Sequence, residues 1–428
     1  MHEPFHKRVY NEYQQEGFIG LIDSGFDRYI LSPLSKHVLY PHIYKQTICN
    51  TELIEQCSLR NQVWEYDEEV DIPVSYPHQD SFAPFFEDPK NGMDLSSRYV
   101  CEITDAVIIG KSGLIQTDSG QYIFESVKRT NHLQRTVRKS SVRLFLRSRK
   151  TNAELAGRIT QNQNYDTVIS MVTHTSSNHP YGHWVIEYLP KLLGLSIYEE
   201  ETGNRPKILI NKNPPEWMIE SLGIMGYNRD RLIEWDNDVA NINTLIHPLS
   251  STHHRTIEKN RFSPIEHRWV REQYRNATKF DSISNSRRIY VSRQGYDNRR
   301  VENFSEIKNI LDKYDFTIIQ PEEMKFTQQV ELFADSSLIV GHQGTGLHNM
   351  IFAEDAKVIE MFPPNYLAAQ NYILANGLGH KYSYIVGKRT SKSRKAHKGY
   401  IPFAVQPEEL RDRIKSILNE NDNDSSRH

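Results

Sequence analysis

The chain has 428 residues, of which 38% are hydrophobic and 25% are charged, which suits a globular protein of two or three domains. Its formal net charge is −2 and its pI is near 6.8, so it lacks the basic excess expected of a protein whose main partner is nucleic acid. No run approaches the roughly 20 apolar residues of a membrane span, and the first 18 residues lack the apolar core of a signal peptide. Cys49, Cys57 and Cys101 are too scattered for a disulfide framework or a metal cluster, and they suit a reducing compartment. We therefore expect a soluble, cytoplasmic protein.

Local clusters of basic residues interrupt this neutral balance at residues 135–149 and 388–398. The simpler interpretation is a solvated face or loop. The alternative is peripheral contact with an acidic membrane surface or an anionic glycan, because clustered Lys and Arg attract both.

The first third of the chain predicts β-structure with irregular connections. Residues 1–95 have weak periodicity, so we expect an irregular elaboration there. Residues 98–127 alternate between short apolar runs and glycine-containing turns, which predicts a series of β-hairpins. Residues 125–150 are polar and basic, which predicts a connecting helix or loop.

From residue 166 the pattern becomes an alternation of strands and helices. Strands are predicted at 167–172, 207–210 and 232–235, with helices starting at 181 and 216. This order is typical of βαβ units around a parallel sheet. Residues 252–281 are polar and are interpreted as the segment between two domains, with a helical pattern at 264–280.

A second α/β unit is predicted from residue 287. Its strands are expected at 288–292, 315–319, 337–341, 357–361 and 382–386, and its helices near 303–314, 325–334, 345–353 and 366–376. A final helix is predicted at 406–419. The predicted division is an N-terminal elaboration (1–95), a first lobe (96–255), an interdomain segment (256–286), a second lobe (287–405) and a C-terminal helix with a tail (406–428). A cleft between the two lobes would be the natural ligand site.

The second lobe contains a glycine-rich turn between a predicted strand and a predicted helix. Residues 341–346 read Gly-His-Gln-Gly-Thr-Gly. Free backbone N–H groups and the dipole of a following helix would favour a phosphate at this turn. The spacing is GxxGxG rather than GxGxxG, which counts against a dinucleotide-dependent oxidoreductase. The alternative is a tight turn with no ligand.

Charged side chains follow the neighbouring strand ends. Arg293, Arg299 and Arg300 come after the first strand of the second lobe, where ligands gather in open α/β sheets. Guanidinium groups there would suit a pyrophosphate, although solvated arginines in a loop are the alternative. Glu360 ends another strand and could accept hydrogen bonds from a ribose, or be an ordinary charged strand end.

His183 and Glu187 form a second candidate site in the first lobe. Their i, i+4 spacing puts them on one face of a helix, where either side chain could act as a general base for a hydroxyl. The alternative is an amphipathic helix with two surface polar groups. His174, Asn178 and His179 in the preceding loop favour a polar pocket.

Metal and serine-hydrolase chemistry have little support. The sequence contains neither H-E-x-x-H nor GxSxG. Asp236 and Asp238 have the spacing of a metal-binding DxD, but Asp-rich turns commonly follow strands. We expect no metal site.

Four stretches together resemble the motifs of glycosyltransferase family 61, which includes O-linked GlcNAc transferases, xylosyltransferases and bacterial capsule-type enzymes. The first comprises Tyr181, His183, Glu187, Leu189, Pro190, Lys191 and Leu192. The second comprises Ser292, Arg293, Arg299, Arg300 and Asn303, and the third comprises Glu322, Phe326 and Gln329. The fourth comprises Gly341, Gly344, Gly346, Leu347, Asn349 and Glu360. One position departs from the pattern: the family's His before the second glycine falls on Gln343, and His342 stands where the family has Pro.

The resemblance implies a GT-B architecture, with two Rossmann-like lobes facing a cleft. It implies inverting transfer of a sugar from a nucleotide-sugar, with UDP expected as the nucleotide, to a hydroxyl of a glycan or lipid-linked glycan, in surface polysaccharide or glycoconjugate synthesis. Neither a metal nor another cofactor is expected. A non-catalytic nucleotide- or carbohydrate-binding protein on the same fold is the alternative.

The resemblance also implies roles for individual residues. Glu187 is expected to be the base with His183 assisting, and the reverse assignment stays open. The donor is expected to contact Arg293, Arg299, Arg300, Asn303, His342, Gln343, Gly344, Thr345, Gly346, Asn349 and Glu360.

Overall fold

The computed structural model describes residues 47–67, 70–72, 93–95, 98–110, 112–123, 163–173, 181–235, 239–249, 263–278, 284–296, 299–390 and 401–425. These residues form a mixed α/β structure with two main sheets, as the sequence predicts. Within these ranges no helix combines the length and the apolar character that crossing a membrane requires.

The strands of the first sheet lie between residues 47 and 248. They are β1 (Thr47–Ile48), β2 (Val63–Asp67), β5 (Arg98–Ile109), β6 (Leu114–Gln116), β7 (Tyr122–Ile123), β8 (Gln163–Ser170), β9 (Lys207–Asn211), β10 (Leu232–Trp235) and β11 (Val239–Pro248). Between β2 and β5, β3 (Val70–Ile72) and β4 (Met93–Leu95) form a separate antiparallel pair.

The first sheet is mixed rather than parallel throughout. Its order is β1-β7-β6-β5-β11-β8-β9-β10, with β2 also paired to β5. β11, β8, β9 and β10 run parallel to their neighbours in this half, whereas β5 is antiparallel to β11, β6 and β2. The predicted hairpin strands and the predicted βαβ strands therefore belong to one sheet. Residues 47–67, which the sequence assigns to the elaboration, also pair with it.

The central strand of this sheet, β11, was not predicted. Its sequence, VANINTLIHP, interrupts the apolar positions with asparagines, so it lacks the continuous run of a buried strand. In the structure it lies between β5 and β8, and Asn241 and Asn243 bond to Asn164 and Asp166 on the neighbouring strand. These cross-strand partners make the asparagines compatible with a central position.

The second sheet is parallel and five-stranded. Its strands are β12 (Arg287–Val291), β13 (Phe316–Ile319), β14 (Ser336–His342), β15 (Lys357–Phe362) and β16 (Lys381–Val386), in the order β13-β12-β14-β15-β16. This is the doubly wound order 2-1-3-4-5, in which the chain changes direction across the sheet between β12 and β14. The last strands, β17 (Lys388–Arg389) and β18 (Phe403–Ala404), form a short antiparallel pair.

Helices cover both sheets. They are α1 (Asn50–Ser58), α2 (Tyr181–His183), α3 (Lys191–Thr202), α4 (Glu216–Ile224), α5 (Pro264–Thr278), α6 (Phe304–Lys313), α7 (Phe326–Ala334), α8 (Gln370–Gly377) and α9 (Pro407–Ser425). A π-helix, Trp184–Tyr188, follows α2, and 3₁₀ helices occupy Arg229–Arg231, Pro321–Glu323 and Thr345–Phe352. The helix predicted near 345–353, after the glycine turn, is a 3₁₀ helix, with hydrogen bonds between residues three apart such as Leu347 N to Gly344 O (3.2 Å).

One continuous hydrophobic core joins the two sheets. It runs from Ile169 and Ile246 of the first sheet, through helices that include Trp184 and Phe326, to Ile339 of the second. α5, in the predicted interdomain segment, lies between the two units: Tyr274 Oη donates to the carbonyl of Ser221, and Arg268 donates to that of Gly377. On the far side of the second sheet, α6 and α9 pack together over a smaller core.

Candidate active site

The candidate site lies at the point where the second sheet changes direction. Arg293 follows the carboxyl end of β12, and the glycine turn, residues 341–346, begins at the carboxyl end of β14. In open α/β sheets this crevice between adjacent strands is where ligands bind. The fold therefore places the predicted arginine and the predicted turn side by side.

Arg293 lies directly against the glycine turn. A methyl group at Gly344 would lie 3.0 Å from Arg293 Nη1, so the guanidinium packs on bare backbone. The guanidinium also lies over the ring of Tyr296, 4.8 Å from its centroid. Burial, and next the charge of Arg299, lowers the pKa of Arg293. Two guanidinium groups that repel each other in a partly buried site would both be stabilised by a bound anion.

Arg299 is held by two consecutive residues of the turn. Its Nη1 donates a hydrogen bond to Gln343 Oε1, and its backbone carbonyl accepts one from His342 Nδ1 (3.0 Å). Arg299 has φ of 55°, in the left-handed region that few non-glycine residues occupy. Gln343 thus contacts an arginine of the candidate site.

His342 points into the protein. It is buried, and its Nε2 accepts a hydrogen bond from Tyr290 Oη (2.5 Å), because the Nδ1 proton is used on the Arg299 carbonyl. Burial lowers the pKa of His342 to about 3, so the ring is neutral. The structure gives His342 a supporting position behind the Arg299 loop rather than a place in the crevice.

Glu360 is enclosed by its own neighbours. It is fully buried, and its two carboxylate oxygens accept hydrogen bonds from Asn371 Nδ2 (2.7 Å) and Tyr382 Oη (2.5 Å). Burial raises its pKa to about 7, against the opposing effects of Tyr382, Asn371 and Arg299. The predicted contact with a ribose would require Glu360 to exchange one of these partners.

His183 and Glu187 lie together, as their spacing predicts. His183 Nδ1 is 2.9 Å from Glu187 Oε1; the imidazole is 37% exposed, whereas the carboxylate is 6% exposed. Glu187 is therefore not a surface group of an amphipathic helix. It belongs to the π-helix, a rare conformation that is frequent at functional sites.

The π-helix is followed by Pro190, which has no N–H for the preceding carbonyl groups. The carbonyl of Ile186 is instead 3.2 Å from Nε2 of His267, a buried residue of α5 whose Nδ1 is 2.5 Å from the Ser263 carbonyl. Burial lowers the pKa of His267 to about 4. His267 thus supports the segment that carries Glu187, a role with no local sequence signal.

The two candidate sites meet at Gly182. A methyl group there would lie 2.4 Å from Thr345 Cγ2 and 2.7 Å from His348 Nδ1, so only glycine allows this approach. His348 Nδ1 also lies 3.3 Å from the Gly182 carbonyl. The residue next to His183 therefore touches the residue next to Gly344. A single sequence could not have identified this contact, since Gly182 carries no chemical group.

A buried hydrogen-bond chain reinforces the same junction. Tyr181 Oη donates to Asn349 Oδ1 (2.6 Å), Asn349 Nδ2 donates to Gln329 Oε1 (2.8 Å), and Gln329 Nε2 donates to the carbonyl of Pro321 (2.7 Å). Asn349 has no exposed surface. Both polar atoms of the Asn349 amide thus form hydrogen bonds at the junction of the two units, whereas the sequence suggested a contact with the nucleotide-sugar donor.

The other residues predicted to contact the nucleotide-sugar donor differ in their burial and in their partners. Asn303 bonds through both side-chain atoms to the backbone of Val405. Thr345 is exposed at the junction, Arg300 is half-buried, and Gly346 packs on Val291. Residues 174–180 and 236–238, with the loop histidines and the DxD-like pair, lie outside the described residues. Among the described residues, no group of three His, Cys, Asp or Glu side chains is arranged to hold a metal ion.

The region that contains both candidate sites matches a known protein family. A model of the glycosyltransferase 61 family matches residues 181–359, from the tyrosine of the buried chain to the residue before Glu360. A comparison with curated proteins finds no match. The matched stretch includes the His183–Glu187 pair, the arginines and the glycine turn.

Proposed function

We propose that the chain is a glycosyltransferase of family 61, whose model matches residues 181–359, and that it transfers a sugar from a UDP-sugar to a hydroxyl of a glycan acceptor, with inversion. The observation that carries this proposal is the contact at Gly182. It brings an arginine-lined turn and a histidine–carboxylate pair to one junction. A reaction that must bind a diphosphate and deprotonate a hydroxyl needs these two groups together.

The proposed architecture is GT-B, with the second unit holding the donor nucleotide and the first unit holding the acceptor. The doubly wound second sheet supports the donor assignment, because its change of direction lies at the arginines. The acceptor is proposed to be a glycan or lipid-linked glycan.

In the proposed reaction, the acceptor oxygen attacks the anomeric carbon while a base takes the hydroxyl proton. The bond from that carbon to the phosphate oxygen breaks, and nucleoside diphosphate leaves with the bonding electrons. Arg293 and Arg299 stabilise the charge that develops on the diphosphate, which is the role a metal would otherwise have. The proposal therefore needs no metal.

The different exposures of His183 and Glu187 support His183 as the base. Its Nδ1 faces the buried Glu187, and its imidazole is 37% exposed, so the imidazole is the more accessible group of the pair to an acceptor hydroxyl. A buried carboxylate against Nδ1 orients the imidazole and stabilises it when it becomes protonated. This is the reverse of the assignment first expected from the sequence, in which Glu187 is the base.

The donor site is tested by thermal unfolding of the full chain with and without UDP. UDP should raise the melting temperature, and Arg293→Ala should remove most of that rise, because a charged hydrogen bond contributes about 1.5–3 kcal/mol. Arg288→Ala is the matched control: Arg288 lies at the other end of β12 and donates to the Tyr314 carbonyl. A protein stabilised by no nucleoside diphosphate would contradict the proposal.

The alternative, a binding protein without activity, is separated from an enzyme by donor hydrolysis. A panel of nucleotide-sugars is incubated with the protein, and released nucleotide is measured. Hydrolysis that disappears in His183→Ala supports the enzyme, whereas UDP binding with no turnover of any donor or acceptor supports the alternative.

A further inference from the structure

The glycine turn carries two side chains that both hold Arg299. His342 and Gln343 are neighbours in sequence, yet one bonds to the backbone carbonyl of Arg299 and the other to its guanidinium. His342 is the last residue of β14, and Gln343 is the first residue after it. One arginine is thus anchored at its backbone and at its side chain by two adjacent residues where β14 ends.

The backbone anchor holds an unfavourable conformation. With φ of 55°, Arg299 needs support from its surroundings, since a side chain in the left-handed region costs free energy. His342 supplies this support: its Nδ1 donates to the Arg299 carbonyl, which fixes the tautomer and leaves Nε2 to accept from the Tyr290 hydroxyl. The chain Tyr290–His342–Arg299 is directional, because a carbonyl oxygen can only accept.

The side-chain anchor leaves the charge of Arg299 in place. Gln343 is neutral, so its contact orients the guanidinium without cancelling the positive charge. The nearby carboxylate, Glu360, accepts hydrogen bonds from Asn371 and Tyr382.

We propose that His342 and Gln343 are positioning residues that preorganise Arg299 for the diphosphate of the donor. This inference rests on the proposed function, because it assigns the anion to that donor site. Fixing a flexible side chain before binding improves affinity by removing the entropy cost of ordering it. It also explains how this chain functions with histidine and glutamine at these two positions: neither needs to touch the donor.

The test is a double-mutant cycle on UDP affinity, measured by calorimetry with the full chain. His342→Ala should weaken UDP binding about tenfold, as expected for one lost hydrogen bond, and Arg299→Ala should weaken it at least as much. In the Arg299→Ala background, His342→Ala should have no further effect, since its only route to the ligand is then absent.

Three further variants separate positioning from general destabilisation. His342→Asn, which keeps a donor near the Nδ1 position, should retain more affinity than His342→Ala. Gln343→Glu should keep the contact with Arg299 but weaken UDP binding, because the carboxylate cancels the charge. His380→Ala is the matched control: His380 is another buried histidine, bonded to Ala356 N and to the Met350 carbonyl, and its loss should lower the melting temperature without changing UDP affinity.

The outcomes are distinguishable. The inference is overturned if folded His342→Asn and Gln343→Glu both bind UDP like the wild type, or if His342→Ala weakens binding equally with and without Arg299. If wild-type protein binds UDP and Arg299→Ala does not change the affinity, the positioning role is wrong but the donor site stands. If wild-type protein binds no nucleoside diphosphate, the donor site itself is wrong, and the positioning role with it.

Discussion

Glu187, within the stretch that matches the family model, and Glu360, the residue just after it, are both buried carboxylates, and they differ in what surrounds them. Glu360 accepts hydrogen bonds from Tyr382 and Asn371 and has no exposed surface. Glu187 lies 2.9 Å from a histidine that is 37% exposed. One carboxylate is thus enclosed by fixed donors, whereas the other is linked to solvent through a group that can carry a proton.

This difference distinguishes a carboxylate that stabilises the fold from one that can take part in a reaction. A carboxylate that is bonded on both oxygens stabilises the local fold, and moving it would leave buried donors without a partner. A carboxylate against an accessible imidazole can stabilise a charge that appears during a reaction. The charge and strand-end position of Glu360, which suggested a ligand, do not distinguish these two situations, because the partners come from distant parts of the chain.

The largest expected effect concerns His183. His183→Ala should lower sugar transfer about 10²- to 10⁴-fold, the usual contribution of a general base, and leave UDP affinity unchanged. Glu187→Gln should also lower the rate, and the double variant should be little worse than His183→Ala, because the two groups act as a unit. The control is Glu199→Gln, on the next helix, where the carboxylate pairs with Arg231. If Glu360→Gln reduced the rate as much as Glu187→Gln without loss of folding, Glu360 would also have a role in the reaction.

The buried amide of Asn349 is also expected to support the fold rather than bind the donor. Asn349→Ala should lower the free energy of unfolding by about 1–3 kcal/mol for each buried group left without a partner, here Tyr181 Oη and Gln329 Oε1. Chemical denaturation measures this loss. Tyr181→Phe, which removes one hydroxyl, should cost less. A variant of wild-type stability that has lost UDP affinity would show instead that Asn349 is a donor ligand, as the sequence suggested.

The smallest expected effect is a pH dependence of stability from Glu360. Its folded pKa of about 7 lies above the ordinary 4.5, so its contribution to stability is complete below pH 4.5 and is lost as the pH rises to about 7. Relative to Glu360→Gln, the wild type should lose roughly 1.4 kcal/mol of unfolding free energy for each pH unit in this window. Urea denaturation at pH 5 and pH 8 measures the difference. Parallel pH profiles for the two proteins would argue that Glu360 is ionised without penalty.

Much of the second unit was predictable because its signals are local. Apolar runs place β12 to β16 within two residues of their observed limits, and the carboxyl ends of β12 and β14 follow from them. The i, i+4 spacing was enough to put His183 beside Glu187. β11 was missed because its asparagines are acceptable only beside Asn164 and Asp166.

The sequence alone was sufficient to indicate an α/β protein, a turn suited to binding phosphate and a candidate acid–base pair, from residue types, their spacing and the order of strands. These features depend on a few neighbouring residues, whose chemistry is visible in the chain. Folding decided which polar groups remain available. Asn349, Asn303, His342 and Glu360 resemble ligands in sequence but are bonded to partners far along the chain, whereas Gly182, with no functional group, brings the two candidate sites together. The physical reason is that a buried polar group must find a hydrogen-bond partner, and which partner it finds depends on long-range packing.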